Sequence, residues 1–229
     1  MKTEHLLIMR FTALGEVAML VPVVSSLAQQ YPELRITVLS NPFARSLFDG
    51  IAHNVGFMAA DLNGEYHGVK GLNALYRRLV AKNFTAIADM QSILRSSYLR
   101  MRFNISSYRV EHLDNHRQDR RKLVATKDKC LRQLPSLFDD YADVLARLGY
   151  NVRLDFQSLF PPTGGNLRLV SDRIGEKKMF QQWIGIAPFA AFRGKVYPAQ
   201  LTERVIAELI RRHPSCRIFL FGGGDAEMA

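Results

Sequence analysis

A glutamate near the start of the chain stands where it could do acid–base chemistry. It closes the segment Arg10–Glu16 (Arg-Phe-Thr-Ala-Leu-Gly-Glu), between an apolar run over residues 5–9 and an amphipathic segment over residues 17–30. This order predicts a strand, a tight turn at Gly15 and a helix, and open α/β sheets bind ligands at the carboxyl edge so formed. A carboxylate there can hold a substrate hydroxyl or take its proton. The alternative, favoured from position alone, is a first-turn carboxylate that complements the helix dipole.

A second polar group follows the fourth predicted strand, residues 84–89. Asp89 ends that strand, and Arg95 is expected one turn into the next helix. Gln91 is expected to project into the same crevice as Glu16. A carboxylate, an amide and a guanidinium suit a polyhydroxylated, phosphorylated ligand. The alternative is an aspartate that caps the helix beside an arginine that faces solvent.

A basic loop links a predicted strand over residues 183–187 to a predicted helix over residues 198–212. Arg193 and Lys195 flank Gly194 in this loop, just before the helix begins. Cations and backbone N–H groups at a helix N-terminus suit a diphosphate. The alternative is a solvated basic loop.

A glycine turn follows the last predicted strand, residues 217–221. It contains Gly222 and Gly223, and Asp225 and Glu227 come close behind. Such a turn lets the backbone approach a nucleotide, and an acidic side chain can take the ribose hydroxyls. Runs of glycine are also common in ordinary loops, so both interpretations stay open.

Composition favours anionic partners, because the net charge is +10, with 31 Lys and Arg against 21 Asp and Glu. The basic tract over residues 117–132 lacks the aromatic residues of single-strand platforms, so nucleic acid is not expected as a partner. Anionic lipid or phosphorylated saccharide remains open for this tract, beside a solvated face. His112 and His116 have no further ligands nearby, so neither a metal site nor a cofactor is expected.

The N-terminus is not expected to be a signal peptide, because Lys2, Glu4 and Arg10 interrupt the apolar run. No stretch approaches the ~18 apolar residues of a membrane span. We therefore expect a cytoplasmic protein that can touch the inner membrane peripherally.

Strand and helix signals alternate along the chain, which predicts an α/β fold with a doubly wound parallel sheet covered on both faces. The Pro-Pro-Thr-Gly-Gly run at residues 161–165 cannot continue a helix or a central strand. We predict a Rossmann-like domain over residues 1–160 and a linker with a connecting helix over residues 161–182. Residues 183–229 would begin a second domain of the same kind, which is expected to be incomplete.

Taken together, these segments resemble the heptosyltransferase family of bacterial lipopolysaccharide synthesis, glycosyltransferase family 9. Residues 10–22 resemble the family's opening R-x-x-x-x-G-D…P, and residues 27–39 resemble its next block. Residues 89–96 are similar to its D-x-Q-x-x-x-K-S stretch. Residues 184–198 resemble its I-G-x-x-P-G-A…K-x-W-P segment, and residues 221–224 its glycine turn. The resemblance spans essentially the whole chain.

The resemblance implies a GT-B fold, in which two Rossmann-like domains face a cleft. It implies inverting, metal-independent transfer of heptose from a nucleotide sugar, usually ADP-heptose, to an anionic glycolipid such as the lipopolysaccharide core. Glu16 would be the general base on the acceptor hydroxyl, and Lys195, with Arg193, would steady the departing diphosphate. The acceptor would be bound by Thr12, Gly15, Asp89, Gln91 and Arg95. The nucleotide would be bound by Gly222, Gly223, Asp225 and Glu227.

Three features depart from the family pattern. Glu16 stands where the family has Asp, and Phe189 where it has a glycine that lets a phosphate approach. The family's later D-T-G-x-x-H block has no counterpart before Ala229, so we expect a truncated chain that binds donor poorly and turns over little. The alternatives are a GT-B transferase with another sugar nucleotide and a non-catalytic α/β module that binds phosphorylated saccharide or lipid.

Overall fold

A computed structural model describes residues 4–160, 165–190 and 192–222. The chain forms two compact units, Met1–Leu159 and Phe160–Ala229. None of the helices in these described ranges is long and apolar enough to cross a bilayer.

The first unit is built on five parallel strands, β1 (His5–Met9), β2 (Arg35–Ser40), β3 (Val55–Ala59), β4 (Ala86–Asp89) and β5 (Arg109–His112). Their order in the sheet is β3-β2-β1-β4-β5. Met9 at the end of β1 pairs with Leu39 of β2 on one side and with Asp89 of β4 on the other. The strand order reverses between β1 and β4, which is the switch point where open α/β sheets bind ligands. The predicted α/β fold is confirmed.

Six α-helices accompany this sheet: α1 (Leu14–Ala18), α2 (Leu20–Gln30), α3 (Gly68–Val80), α4 (Leu94–Ile105), α5 (Arg117–Val124) and α6 (Leu137–Arg147). A 3-10 helix, Pro42–Leu47, follows β2. Side chains point alternately to the two faces of the sheet along each strand, and helices cover both faces. Leu6 and Ile8 of β1 enter a core cluster with α2 and α6. Leu7 and Met9 enter a second cluster with α3 and α4.

The single helix predicted over residues 17–30 is wrong, because α1 and α2 are separate helices that meet at Met19. Pro22 gives the physical reason. A proline has no N–H to donate to the carbonyl four residues earlier, and its ring clashes with that carbonyl. That carbonyl belongs to Ala18, where α1 ends, so Pro22 lies in the first turn of a new helix.

The second unit contains β6 (Trp183–Ile186), a 3-10 helix (Arg193–Lys195), α7 (Ala199–Arg212) and β7 (Arg217–Leu220). β6 and β7 are parallel neighbours, as the predicted βαβ unit requires. Among the residues described in this unit, none is fully buried.

The connecting helix predicted within residues 161–182 is wrong for residues 171–182, because those residues form turns and irregular structure. Gly175 has a φ of +66°, a left-handed conformation that an α-helix cannot continue through. Within the described part of the predicted linker, the helical structure is a single 3-10 turn, Leu167–Leu169.

Candidate active site

The segment after β1 contains a buried arginine that holds a half-exposed glutamate. Arg10 is 3% exposed, and its guanidinium donates hydrogen bonds to the Glu16 carboxylate and to the backbone carbonyl of Met90. The same guanidinium lies over the ring of buried Tyr141, 5.6 Å from its centroid. Because Met90 follows β4, Arg10 joins the carboxyl ends of the two strands that flank the switch point.

The two oxygens of the Glu16 carboxylate differ in their surroundings. Oε2 accepts from Arg10 and, at 3.1 Å, from the backbone N–H of Ala13 at the start of α1. The contact with the Ala13 N–H is the one expected of a carboxylate in the first turn of a helix, which is the role that the position of Glu16 favoured. Among the described residues, none donates a hydrogen bond to Oε1, and the side chain is 47% exposed. Oε1 is therefore open to a hydroxyl group from solution.

Tyr141 of α6 supports the backbone beneath Glu16. Its hydroxyl donates to the Glu16 carbonyl oxygen at 2.9 Å, and its ring is fully buried. Burial is the main cause that raises the pKa of the Tyr141 phenol far above its usual value, so the hydroxyl keeps its proton. The carbonyl of Glu16 thus has a permanent buried donor.

Gln91 joins the segments after β4 and β1, but it is buried there and does not project into an open crevice as the sequence predicted. Its side-chain oxygen accepts from the Phe11 N–H at 2.8 Å, and its side-chain nitrogen donates to the Thr12 hydroxyl at 2.6 Å. Gln91 is 4% exposed, whereas Thr12 is exposed. Gln91 therefore positions the loop, and Thr12 is the residue of this pair that a ligand can reach.

Asp89 is fully buried, and the expected direct contact with an acceptor needs correction. One carboxylate oxygen accepts from the N–H groups of Gln91 and Ser92, at 3.1 and 3.0 Å. The other accepts from the Ser96 hydroxyl at 3.0 Å and lies 3.3 Å from the Arg100 guanidinium. As placed, Asp89 orders the turn after β4 and offers no surface to a ligand.

Arg95 lines a cavity of about 260 Å³ at the same edge of the sheet, together with Thr12, Asn41 and Leu94. Its guanidinium donates to the Leu62 carbonyl at 3.0 Å and to the Asn63 side chain at 2.7 Å. The cavity thus contains two of the predicted acceptor residues, Thr12 and Arg95.

Gly15 lies inside α1 and not in the tight turn that the sequence predicted. A Cβ atom added there would meet no atom within 4 Å. Packing within the described residues therefore does not require glycine at this position.

A larger cavity of about 750 Å³ opens at the ends of β4 and β5, lined among others by Arg100, Arg117, Arg147, His112 and His116. The pKa of His112 is lowered by burial and by the nearby Arg100 and Arg147 guanidinium groups. Asp114 and Asp119 also line this cavity, so three guanidinium groups face two carboxylates there.

The second unit contains the predicted diphosphate residues on one exposed 3-10 turn before α7. Arg193 and Lys195 are both exposed, and the Lys195 ammonium lies 5.6 Å from the centroid of the Phe192 ring. Gly222 is exposed and follows β7 closely. The other predicted nucleotide-binding residues lie outside the described residues: Gly223, Asp225 and Glu227.

The described residues contain no group of three or more His, Cys, Asp or Glu side chains that could hold a metal ion. The polar groups at the sheet edge are instead an acid, amides, hydroxyls and guanidinium groups. They can bind and deprotonate a hydroxylated ligand.

Three residues that build this site were not predicted from the sequence: Arg10, Arg100 and Tyr141. The position of Arg10 directly after a buried strand could have indicated an ion pair, because charged residues are rarely buried unless they are paired. Tyr141 gave no such signal, since it contacts Glu16 across 125 positions of sequence.

Comparisons with solved structures give the fold a precedent. The crystal structure of a family 9 glycosyl transferase from Veillonella parvula matches with a TM-score of 0.69 and 18% identity, over 100% of this chain and 66% of that one. E. coli heptosyltransferase WaaC with ADP matches at 0.62 and 16%, over 97% and 68%. E. coli ADP-heptose lipopolysaccharide heptosyltransferase II matches at 0.58 and 16%, over 96% and 65%.

The chain thus spans about two thirds of the length of these structures and shares their fold. No protein-family model matches the sequence, and no curated protein matches it either.

Proposed function

We propose that the protein is an inverting, metal-independent glycosyltransferase that moves heptose or a related sugar. The donor is a nucleotide sugar, ADP-heptose, and the acceptor is the lipopolysaccharide core or a similar anionic glycolipid. One observation carries the proposal: the Glu16 carboxylate, with an open oxygen, stands at the switch point of a sheet whose fold matches heptosyltransferase structures.

Glu16 acts as the general base in this proposal. Oε1 takes the proton of the acceptor hydroxyl while its oxygen attacks the anomeric carbon of the donor. Arg10 holds Oε2, so the open oxygen has a fixed direction. The new C–O bond forms as the bond to the diphosphate breaks, and attack from the opposite face inverts the anomeric centre.

The diphosphate leaves with the bonding electrons and gains negative charge. Lys195 and Arg193 supply positive charge for it, and groups that meet developing charge give most of their stabilisation in the transition state. The nucleotide is assigned to Gly222, Gly223, Asp225 and Glu227. In domain terms, residues 1–160 serve the acceptor and residues 183–229 the donor.

An anionic acceptor is supported by the two cavities of the first unit. The smaller contains Thr12 and Arg95, and the larger is lined by three arginines, Arg100, Arg117 and Arg147, against two carboxylates, Asp114 and Asp119. Guanidinium groups bind carboxylates and phosphates with two parallel hydrogen bonds. The reaction would take place in the cytoplasm, at the surface of the inner membrane.

The test is transfer of labelled heptose from ADP-heptose to a soluble core saccharide, by the protein with all the sequence that its gene encodes. Labelled product is expected. Product from another nucleotide sugar alone would favour the alternative GT-B transferase. Acceptor binding without transfer from any nucleotide sugar would favour the non-catalytic module and contradict the proposal.

A further inference from the structure

The outer face of α4 has an apolar stripe that the core does not use. Leu94, Met101 and Ile105 follow one another on this face, opposite the buried Ser96, Leu99 and Phe103. The half-buried Tyr98 lies between them and packs against the second core cluster. Leu94 is 88% exposed, Ile105 74% and Met101 48%. The eleven helical steps from Leu94 to Ile105 make the stripe about 17 Å long.

Cations lie beside this stripe on α4 and on the neighbouring α3, except Arg100, whose guanidinium pairs with the buried Asp89. The two helices together contain six basic residues and no Asp or Glu: Lys70, Arg77 and Arg78 on α3, and Arg95, Arg100 and Arg102 on α4. Lys70 and Arg77 are exposed on α3, away from Leu72, Leu75 and Leu79, which are buried. Neither cation has an ion pair within the described ranges.

Contacts between the side chains of α3 and α4 hold the two helices together as one surface. Asn73 of α3 accepts from the Tyr98 hydroxyl at 3.0 Å and from the Arg102 guanidinium at 2.6 Å. The Arg102 guanidinium also lies 4.6 Å from the centroid of the Tyr76 ring. The apolar stripe of α4 and the exposed cations of α3, Lys70 and Arg77, therefore lie side by side on one surface.

We infer that this α3–α4 face docks the protein on an anionic lipid bilayer. Apolar side chains beside lysine and arginine match the interfacial region of a membrane, where methylene groups lie below anionic headgroups. A protein partner would have to supply carboxylates to match this face, because every charged residue of α3 and α4 is a cation. The net charge of +10 adds a long-range attraction in the same direction.

The position of the stripe gives the docking a purpose. Leu94 begins the stripe and also lines the cavity that contains Thr12 and Arg95. A bilayer on this face would bring lipid-linked saccharides to the rim of that cavity. This part of the inference rests on the proposed glycolipid acceptor, whereas lipid binding itself does not.

The test is co-sedimentation with vesicles of phosphatidylethanolamine and phosphatidylglycerol, compared with vesicles of phosphatidylcholine alone. It contains neither donor nor acceptor, so failure here and failure of sugar transfer are separate results. Binding to the anionic vesicles is expected, and equal binding to both kinds of vesicle would overturn the inference.

Paired variants locate the binding face. Met101→Ser with Ile105→Ser is expected to weaken vesicle binding tenfold or more, because it removes the centre and end of the stripe. The matched control, Val124→Ser with Leu131→Ser, removes two other exposed apolar side chains of the first unit and should change binding less than twofold. All four positions are exposed, and thermal unfolding checks that each variant folds.

Charge variants separate this face from the basic helix α5. Lys70→Gln with Arg77→Gln should weaken binding about tenfold or more, because each cation near an anionic surface contributes about fivefold. Arg120→Gln with Arg121→Gln removes the same charge from α5 and should act less. A larger loss of vesicle binding from the α5 variant than from the α3 variant would overturn the inference. Stripe variants that abolish self-association of the protein but leave vesicle binding intact would overturn it too.

Discussion

Arg10 and Glu16 form an ion pair in which the cation is buried and the carboxylate is half exposed. The buried partner is tied to the β4 side of the switch point through the Met90 carbonyl. The exposed partner keeps one oxygen open. The pair therefore places a carboxylate at the surface on a support that belongs to the core, which is the arrangement that a fixed general base needs.

Arg10→Met should lower the free energy of unfolding by about 1–3 kcal/mol, because the buried Met90 carbonyl and Glu16 lose a donor. Urea unfolding measures the change. Arg45→Met, which breaks an exposed pair with Asp49 and a contact with the Phe57 ring, is the control and should cost less than about 1 kcal/mol. Equal losses for the two variants would contradict the support role of Arg10.

Asp89→Asn should cost about 1–3 kcal/mol, because the amide nitrogen would face the Arg100 guanidinium, which donates to Asp89. The turn after β4 should loosen with it, and hydrogen exchange at the Gln91 and Ser92 N–H groups reports this. Asp143→Asn, which alters an exposed pair with Arg147, is the matched control. An unchanged exchange rate at Gln91 would show that Asp89 does not order the turn.

The His116–Asp140 pair should make stability depend on pH. The pKa of His116 is raised, chiefly by its hydrogen bond to Asp140. Its contribution to stability is therefore fully present below the ordinary histidine value and is lost as the pH rises through the raised pKa of the folded state. His116→Gln should thus destabilise the protein more at about pH 6 than at about pH 9.

Comparison of the variant with the parent protein isolates this effect from other histidines. The pKa values of His5 and His112 are lowered, mainly by burial, so their contributions to stability have the opposite dependence on pH. Both histidines are present in the variant and in the parent protein, so these contributions cancel in the difference. In an Asp140→Asn background, His116→Gln should lose its pH dependence. A difference that stays constant between the two pH values would refute the pair's role.

The alternation of strands and helices was predictable from sequence, because β1 and β4 are mostly apolar runs bounded by a polar residue, Arg10 directly after β1 and Asp89 at the end of β4. The meeting of Gln91 with the segment after β1 was also predictable, since parallel strands share a carboxyl edge. The burial of Asp89 was not, because its donors Ser96 and Arg100 approach only once α4 has packed.

The residues that hold Glu16 were harder to predict. Tyr141 comes from α6, and no local pattern connects it with the first turn of α1. The apolar stripe on α4 was hidden for a different reason: exposed and buried apolar residues have the same spacing on a helix, so the stripe shows only when the core side is known.

The most direct test of the account is turnover by Glu16→Gln, in the protein with all the sequence that its gene encodes. Transfer from ADP-heptose should fall by roughly 10²–10⁴, because a general base contributes about that much, while the acceptor KM stays nearly constant. Glu33→Gln, at an exposed glutamate in the loop between α2 and β2, is the control and should keep full turnover. Unchanged turnover in Glu16→Gln would contradict the proposed role of Glu16 as general base, because its carboxylate would then serve only to cap the start of α1.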